Sequence, residues 1–436
     1  MSDALTGFQA MLISNRENGT GGICSVCSAH AEVIKASMEQ AVEDDSIVLI
    51  EATSNQVNQF GGYTGMKAPD FVEYVNRLAD EVGFPKERVL LGGDHLGPNS
   101  WQDEPAASAM DKAEELIRSY VAAGFRKIHL DCSMFCADDE GDRHAALADS
   151  IVGARAARLC AASEDEWAKT DGKGARPLYI IGTEVPIPGG AQEEEDTVIP
   201  TTAEDANRTI AVTKSCFEDA GLADVWSRVI ALVVQPGVEF GDDQIFDYVP
   251  AAAAGLSESI MAHSGMVFEA HSTDYQREEG LAELVRDHFC ILKVGPWLTY
   301  AYREAIYLLA DVEKELITDE SRLSRVKEVI EEVMLAKPGN WKKYYKGTDE
   351  EITYKRKYSF SDRSRYYWPD ADIQGAIATL NANLREKGIP FSLLSQYFPV
   401  EFTMIRDGKL DNDPVAIARQ RVRQVVSIYS RASGIA

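Results

Sequence analysis

The chain is short of basic residues, of paired cysteines and of long apolar runs, and each shortage removes a class of function. Of its 436 residues, 70 are acidic and 44 basic, a formal net charge of −26. Nucleic acid and anionic lipid both demand a basic footprint, so neither is expected as a partner. Seven cysteines, an odd number without regular spacing, make no disulfide framework. The opening residues, MSDALTGFQAMLISNREN, lack the basic-then-apolar order of a secretory signal. No run of about 18 apolar residues is present to cross a bilayer. A reducing, cytoplasmic setting is the expectation. Internal repeats, low-complexity tracts and a GxxxxGK[ST] phosphate loop are also missing, so a phosphate-loop kinase has no support.

What is present is ordinary globular material, 45% hydrophobic and 26% charged, in a chain long enough for one large domain with an extension or for two domains. Short apolar runs recur at Gly22–Val26, Ile47–Ala52, Val89–Gly92, Lys127–Leu130, Leu178–Gly182, Val229–Val234, Met266–Glu269 and Cys290–Val294. Runs of this kind suit strands buried on both faces of a parallel sheet. Helix-period segments lie between them. Phe71, Val75, Leu78 and Val82 make one apolar stripe, and Met110, Ala113, Ile117 and Tyr120 another, stopped at Gly124. Thr202 with Asp205 predicts a helix start. Eight strands, each followed by helical sequence, predict a (β/α)₈ barrel over residues 1–310. A doubly wound open sheet is the rival, but GICSVCSAH is not the glycine-rich turn that such a sheet usually carries after its first strand.

Beyond residue 310 strand-like runs disappear. Residues 311–436 read as a mainly helical extension, with helical segments at Glu313–Leu335, Ile373–Glu386 and Pro414–Ala432. Between the first two, Lys337–Arg365 holds nine Lys/Arg against four Asp/Glu, a basic, aromatic island in an acidic chain. The acidic run Glu193–Asp196 reads as solvated loop.

Barrel proteins carry their working groups at the C-terminal ends of strands and in the loops after them. Polar residues gather there: Glu51 to Gln59 after the second strand, Asp94-His95 after the third, Asp131 after the fourth, Glu184 after the fifth, Gln235 after the sixth, Glu269 with His271 at the seventh, and Lys293 on the eighth. Acids and imidazoles converging on one rim cost desolvation unless paired or bound to a cation. His95 and His271 with Glu184 make a His₂Glu set with open positions, as expected of a zinc site, with magnesium or manganese as alternatives. Asp131 and Gln235 are lesser candidates. Lys293 suits a Schiff base only if its pKa falls, and so many nearby acids oppose that. Cys24-x-x-Cys27 is discounted as a metal or redox motif, because residues three apart in a strand face opposite sides. In the stretch Lys355 to Trp368, Ser361, Arg363 and Arg365 combine a hydroxyl with guanidinium forks that suit a phosphate dianion. A surface loop pairing with the acidic barrel is the plainer alternative.

The segments GICSVCSAH, LIEATSNQVNQFGGYTGM, LLGGDHLGPNSW, HLDCSM, IGTEVPIPGGA, FEAHSTDYQ, ILKVGP and DRSRYYWP resemble the accessory-subunit family of class II tagatose-1,6-bisphosphate aldolase, from about residue 5 to the C-terminus. Members have often been labelled tagatose 6-phosphate kinases, a label these residues do not support. The resemblance implies the class II aldolase barrel, with Asp94 as a proton-transfer group and His95 as a zinc ligand. It departs from the catalytic pattern of three histidines, since only His271 is a clear second. Some members are described as non-catalytic partners stabilising a separate aldolase subunit, and others resemble D-tagatose 6-phosphate 4-epimerases. The epimerase is the main expectation here: a metal-polarised ketose carbonyl lets the C3–C4 bond break, the aldehyde fragment turn and the bond re-form. Asp94 and Glu269 then serve as acid/base groups. Asn55, Gln59, Asp131, Gln235 and Lys293 hold the sugar, and Ser361, Arg363 and Arg365 its phosphate. A non-catalytic stabilising subunit is the alternative, with an aldolase catalytic chain as partner. Association into a homo-oligomer is left open.

Overall fold

In the computed structural model, residues 3–143, 146–170, 174–182 and 198–435 are described. Ten strands occur among them: β1 Ile23–Cys27, β2 Val48–Thr53, β3 Val89–Leu96, β4 Lys127–Leu130, β5 Leu178–Ile181, β6 Val229–Val234, β7 Glu239–Phe240, β8 Ile245–Phe246, β9 Val267–Ala270 and β10 Phe289–Val294. β7 and β8 form a small antiparallel hairpin, and the other eight close into a barrel. Every barrel pairing is parallel, and β10 returns to β1 with Ile23 opposite Ile291 and Ser25 opposite Lys293. The expected (β/α)₈ barrel is the fold, and its eight strands fall on the eight apolar runs. The open-sheet rival is excluded by that closure.

The helices follow from their sequence signals. Ala68–Val82 buries Phe71, Val75 and Leu78 and stops at Gly83 in the left-handed region. Ala106–Ala123 stops in the same way at Gly124. Thr202 accepts a hydrogen bond from the Asp205 backbone N–H and opens Ala203–Asp219. One helical expectation fails. Glu313–Leu335 is not continuous: one helix ends at Leu316 and another begins at Val326. Buried Glu313 is the cause, because its carboxylate accepts from the Ser324 N–H and hydroxyl and from the Asn383 amide, folding the chain back on itself.

Inside the barrel, side chains at alternate positions stack in layers. The lower layer is apolar, with Ile23, Leu49, Leu90, Leu178, Ile180, Val233, Val267 and Ile291. Helix Ala4–Asn18 covers this end, inserting Phe8 and Leu12 into the same cluster. Asn15 ties it down through hydrogen bonds to Gly21 O and Val285 O. At the other side of the molecule, helix Pro414–Ala432 packs against Ala31–Glu43, Glu278–Arg286 and Pro296–Leu316, so the C-terminal helices share the core around the barrel. Among the described residues, no helix is long and apolar enough to cross a membrane.

Candidate functional site

Above the apolar layer the interior becomes ionic. The same two-residue period that buries Leu49, Val267 and Ile291 turns Glu51, Glu269 and Lys293 inward one step further along their strands. On β4 both inward positions are polar, Lys127 and His129. Lys127 Nζ lies 2.6 Å from Glu51 Oε1 and 2.8 Å from Glu269 Oε2, and none of the three side chains reaches solvent. These are bent charge contacts rather than aligned hydrogen bonds. Gly92 makes room for this layer, since a Cβ there would stand 2.7 Å from Glu51 Oε1.

At the lip, neighbouring Asp94 and His95 both face the mouth, which regular strand alternation forbids. A break in the β3–β4 register beyond Gly93, with His95 in the left-handed region (φ 48°), allows it. Asp94 Oδ1 takes Lys293 Nζ at 2.7 Å and His129 Nδ1 at 3.0 Å. Its Oδ2 lies 3.4 Å from His95 Nε2 and 3.5 Å from Cys27 Sγ. Lys293 also reaches Glu51 Oε2 at 2.5 Å. His95 Nδ1 pairs with Asp131 Oδ2 at 2.7 Å, and His271 Nε2 with Glu269 Oε1 at 2.9 Å. The imidazoles of His95, His129 and His271 stand 5.0–5.4 Å apart, centre to centre.

This packing sets the protonation states. Burial would raise the Asp94 carboxyl, but His95, Lys293 and the His129 hydrogen bond hold it well below the ordinary carboxylate range. Burial likewise opposes charge on Glu269, and Lys127 and Lys293 overcome it. Lys293 would be lowered by burial, yet Asp94, Cys27, Glu51 and Glu269 keep it well above the usual lysine range. It is a held cation, which disfavours the Schiff-base route. Burial drives His271 down to about 3, leaving a neutral imidazole. His95 goes up instead, because Asp94 and Asp131 outweigh its burial.

Four carboxylates (Glu51, Asp94, Asp131 and Glu269) thus face two ammonium groups, Lys127 and Lys293, and the His95 imidazole, whose proton Asp94 and Asp131 favour. A cation would offset the acid excess that remains. Ligand atoms from Asp94, His129, Glu269 and His271 all lie within 4.8 Å of one another. His129 supplies the sharpest sign. Its Nδ1 lies 3.0 Å from Asp94 Oδ1 and 3.3 Å from the His95 backbone nitrogen. Its Nε2 is buried with no hydrogen-bond partner among the described residues. A carboxylate fixing one imidazole nitrogen while the other is free is the usual arrangement around a metal-binding histidine. The residues present fit a divalent ion.

The expected site residues divide clearly. Asp94, His95, Asp131, Glu269, His271 and Lys293 converge. Asn55 lines the mouth and accepts from Ser100. Gln59 is drawn away, its amide donating to Lys112 O. Gln235 caps its own loop, accepting from the Gly237 and Val238 N–H groups. Glu184, like the acidic run Glu193–Asp196, lies outside the described residues. From the C-terminal segment Arg365 and Tyr366 reach the mouth, where Tyr366 packs edge-on to Tyr63 at 4.9 Å. Two expected phosphate contacts do not reach it. Ser361 bonds Ser359 and Tyr345, while Arg363 lies over the Tyr344 ring and donates to Asn340 O. The sequence reading overlooked Lys127 and His129, and it discounted Cys27, whose Sγ meets Asp94. The signal was available in KIHL, where two polar residues two apart must share the inner face.

A closed parallel barrel with a buried ionic chamber at its C-terminal mouth defines a (β/α)₈ protein with a polar candidate site where such barrels carry their working groups. The chain belongs to the D-tagatose-1,6-bisphosphate aldolase subunit GatZ/KbaZ-like family, whose sequence model matches residues 8–434, and its field is carbohydrate metabolism. It is 52% identical over 408 residues to proteins named D-tagatose-1,6-bisphosphate aldolase subunit GatZ from Klebsiella pneumoniae subsp. pneumoniae and Salmonella typhimurium, covering 94% of this chain and 95% of each relative. A crystal structure described as a probable tagatose 6 phosphate kinase from Sinorhizobium meliloti 1021 superposes with a TM-score of 0.85 at 45% identity, covering 94% of this chain and 100% of that one. The expectation of a self-sufficient sugar-phosphate epimerase is overturned by these names, which describe an aldolase subunit.

Proposed function

We propose that the chain is the non-catalytic, stabilising subunit of a class II D-tagatose-1,6-bisphosphate aldolase, acting on a separate catalytic chain, with a barrel mouth that binds a phosphorylated ketohexose. The name carried by relatives across nearly the whole chain supports the first part. The observation that carries the second is the chamber itself, where ligand atoms of Asp94, His129, Glu269 and His271 gather within 4.8 Å of one another and His129 Nε2 is unpartnered among the described residues. A divalent cation there, zinc by preference for imidazole nitrogen, would supply a Lewis acid for the carbonyl and hydroxyl oxygens of the sugar. Lys293 and Asn55 would orient those hydroxyls. Arg365 would take the phosphate, its fork already set by the carbonyls of Ser361 and Asp362 and by the Tyr366 hydroxyl.

The test uses the full chain alone and co-expressed with a class II aldolase catalytic chain. Expected are co-elution, a longer half-life of cleavage activity at 37 °C for the pair, and no cleavage or epimerisation by this chain alone. Metal analysis should find about one divalent ion per chain, lost in His129→Ala. Turnover of tagatose 6-phosphate by the isolated chain, or failure to bind and protect the catalytic chain, overturns the reading.

A further inference from the structure

Beside the barrel mouth a second cavity, of about 530 Å³, lies between helices Ala31–Glu43, Pro296–Leu316, Ala371–Lys387 and Pro414–Ala432. It meets the mouth at Cys27, Gln56, Tyr63, Gly295 and Arg365, which line both. Its size falls in the range of small-molecule sites, and its place between barrel and added helices is a common one for them. We propose that it is a binding site for a neutral, planar heterocycle of the nucleobase type. This assignment is independent of what the barrel chamber holds.

Three observations carry it. First, part of the wall is an aromatic corner: the His30 ring stands 4.4 Å from Tyr302 and 5.8 Å from Trp368, and Tyr302 meets Trp368 edge-on at 5.3 Å. Flat rings pack well against such a corner. Second, three residues of this lining each carry a buried polar atom without a hydrogen-bond partner among the described residues: His30 Nδ1, Trp368 Nε1 and Asn381 Oδ1. A buried group left so costs stability until something fills its valence. The indole N–H asks for an acceptor and the Asn381 oxygen for a donor. Both are found on the edge of a nucleobase. Third, the charges suit a neutral ligand. Glu32 is engaged by Arg419 at 2.6 Å and by Lys35 at 3.3 Å. Burial pushes His30 down to about 4, so its ring is uncharged. Arg365 is the lone cation on the lining. A triphosphate would require more positive charge than that.

The experiment is calorimetric titration of the full chain with adenosine, inosine, cytidine and uridine. At least one should bind at one site per chain with a Kd below about 100 µM. Ala378→Trp, at an exposed helix position on the cavity wall, should abolish binding by filling the space. Asn381→Leu, which removes the unpaired acceptor at similar volume, should weaken it by about tenfold or more. Thermal melts confirm that each variant is folded, and Asn381→Leu stands alone if Ala378→Trp is not. Binding of tagatose 6-phosphate at the mouth should survive in both. The proposal is overturned if none of the four nucleosides binds more tightly than about 1 mM, or if both folded variants bind like the parent.

Discussion

Replacing Lys127 by Met tests the energetics of the chamber most directly. The side chain is fully buried, and its ammonium faces two equally buried carboxylates at 2.6 and 2.8 Å. Methionine keeps most of the volume and removes the charge. Deleting one member of a buried ionic group costs about 3–5 kcal/mol, because the partner charges remain. Here the lower end is expected. Lys293 still lies 2.5 Å from Glu51 and 3.8 Å from Glu269 and takes up part of the imbalance. Glu269→Gln alone should also be costly, because Lys127 loses one of its two carboxylate partners and His271 its charged one. Combined, the two changes remove one charge of each sign, so the double variant should fall short of the sum by about 2 kcal/mol. The pH response of Lys127→Met has a definite sign. Its under-compensated carboxylates acquire raised folded-state pKa values, so the deficit should shrink as pH falls from 8 towards 5. Urea unfolding of the full chain, followed by circular dichroism and tryptophan fluorescence, reads all three quantities. A cost for Lys127→Met below about 1 kcal/mol, strict additivity with Glu269→Gln, or a deficit that grows in acid would refute the reasoning.

Other expectations follow from single features. Burial raises Asp274 from its ordinary 3.8 to about 6, although its carboxylate accepts from the Gly295 and Trp297 N–H groups. Its favourable contribution is therefore present below pH 3.8 and lost as pH rises through about 6. Asp274→Asn should be more stable than the parent at pH 8, by up to about 3 kcal/mol, and no more stable near pH 4 by denaturant titration. Phe8→Ala, in the helix closing the barrel floor, should cost about 3 kcal/mol or more while leaving metal content unchanged. Gly92→Ala should do the reverse at the mouth: its Cβ would strike the Glu51 carboxylate and displace Lys293, lowering metal content measured on the purified protein.

The strands were legible because a parallel barrel buries them on both faces, which leaves short apolar runs that composition alone marks. The Asp94-His95 pair was legible because it interrupts such a run at its C-terminal end. Glu51, Lys127 and His129 were harder, since each sits within or at the edge of an apolar run and takes its meaning from layers across the barrel. Their register, Glu51 and Lys127 against Gly92 and His129 against Ile180, is a tertiary fact. Arg363 and Arg365 are alike in sequence. A short 3₁₀ turn entered through Asp362 at φ 39° sends one over Tyr344 and the other to the mouth. The break after Leu316 was hidden for a similar reason, since the Glu313 carboxylate that fixes it is bound by Asn383, far along the chain.

The floor helix bears on how the molecule assembles. Residues 4–18 are made well before the segment they dock on, for Asn15 bonds Val285 O and Gly19 abuts the backbone of Arg286. Their docking ground therefore exists only after some 270 further residues have been made. Until then Phe8 and Leu12 are exposed greasy side chains on a nascent segment, and the cylinder cannot be sealed at its base. Such distant pairing is slow to form and leaves sticky intermediates in the meantime. Maturation in the cell should consequently be a chaperone-sensitive event that waits for the residues around Val285 to be made.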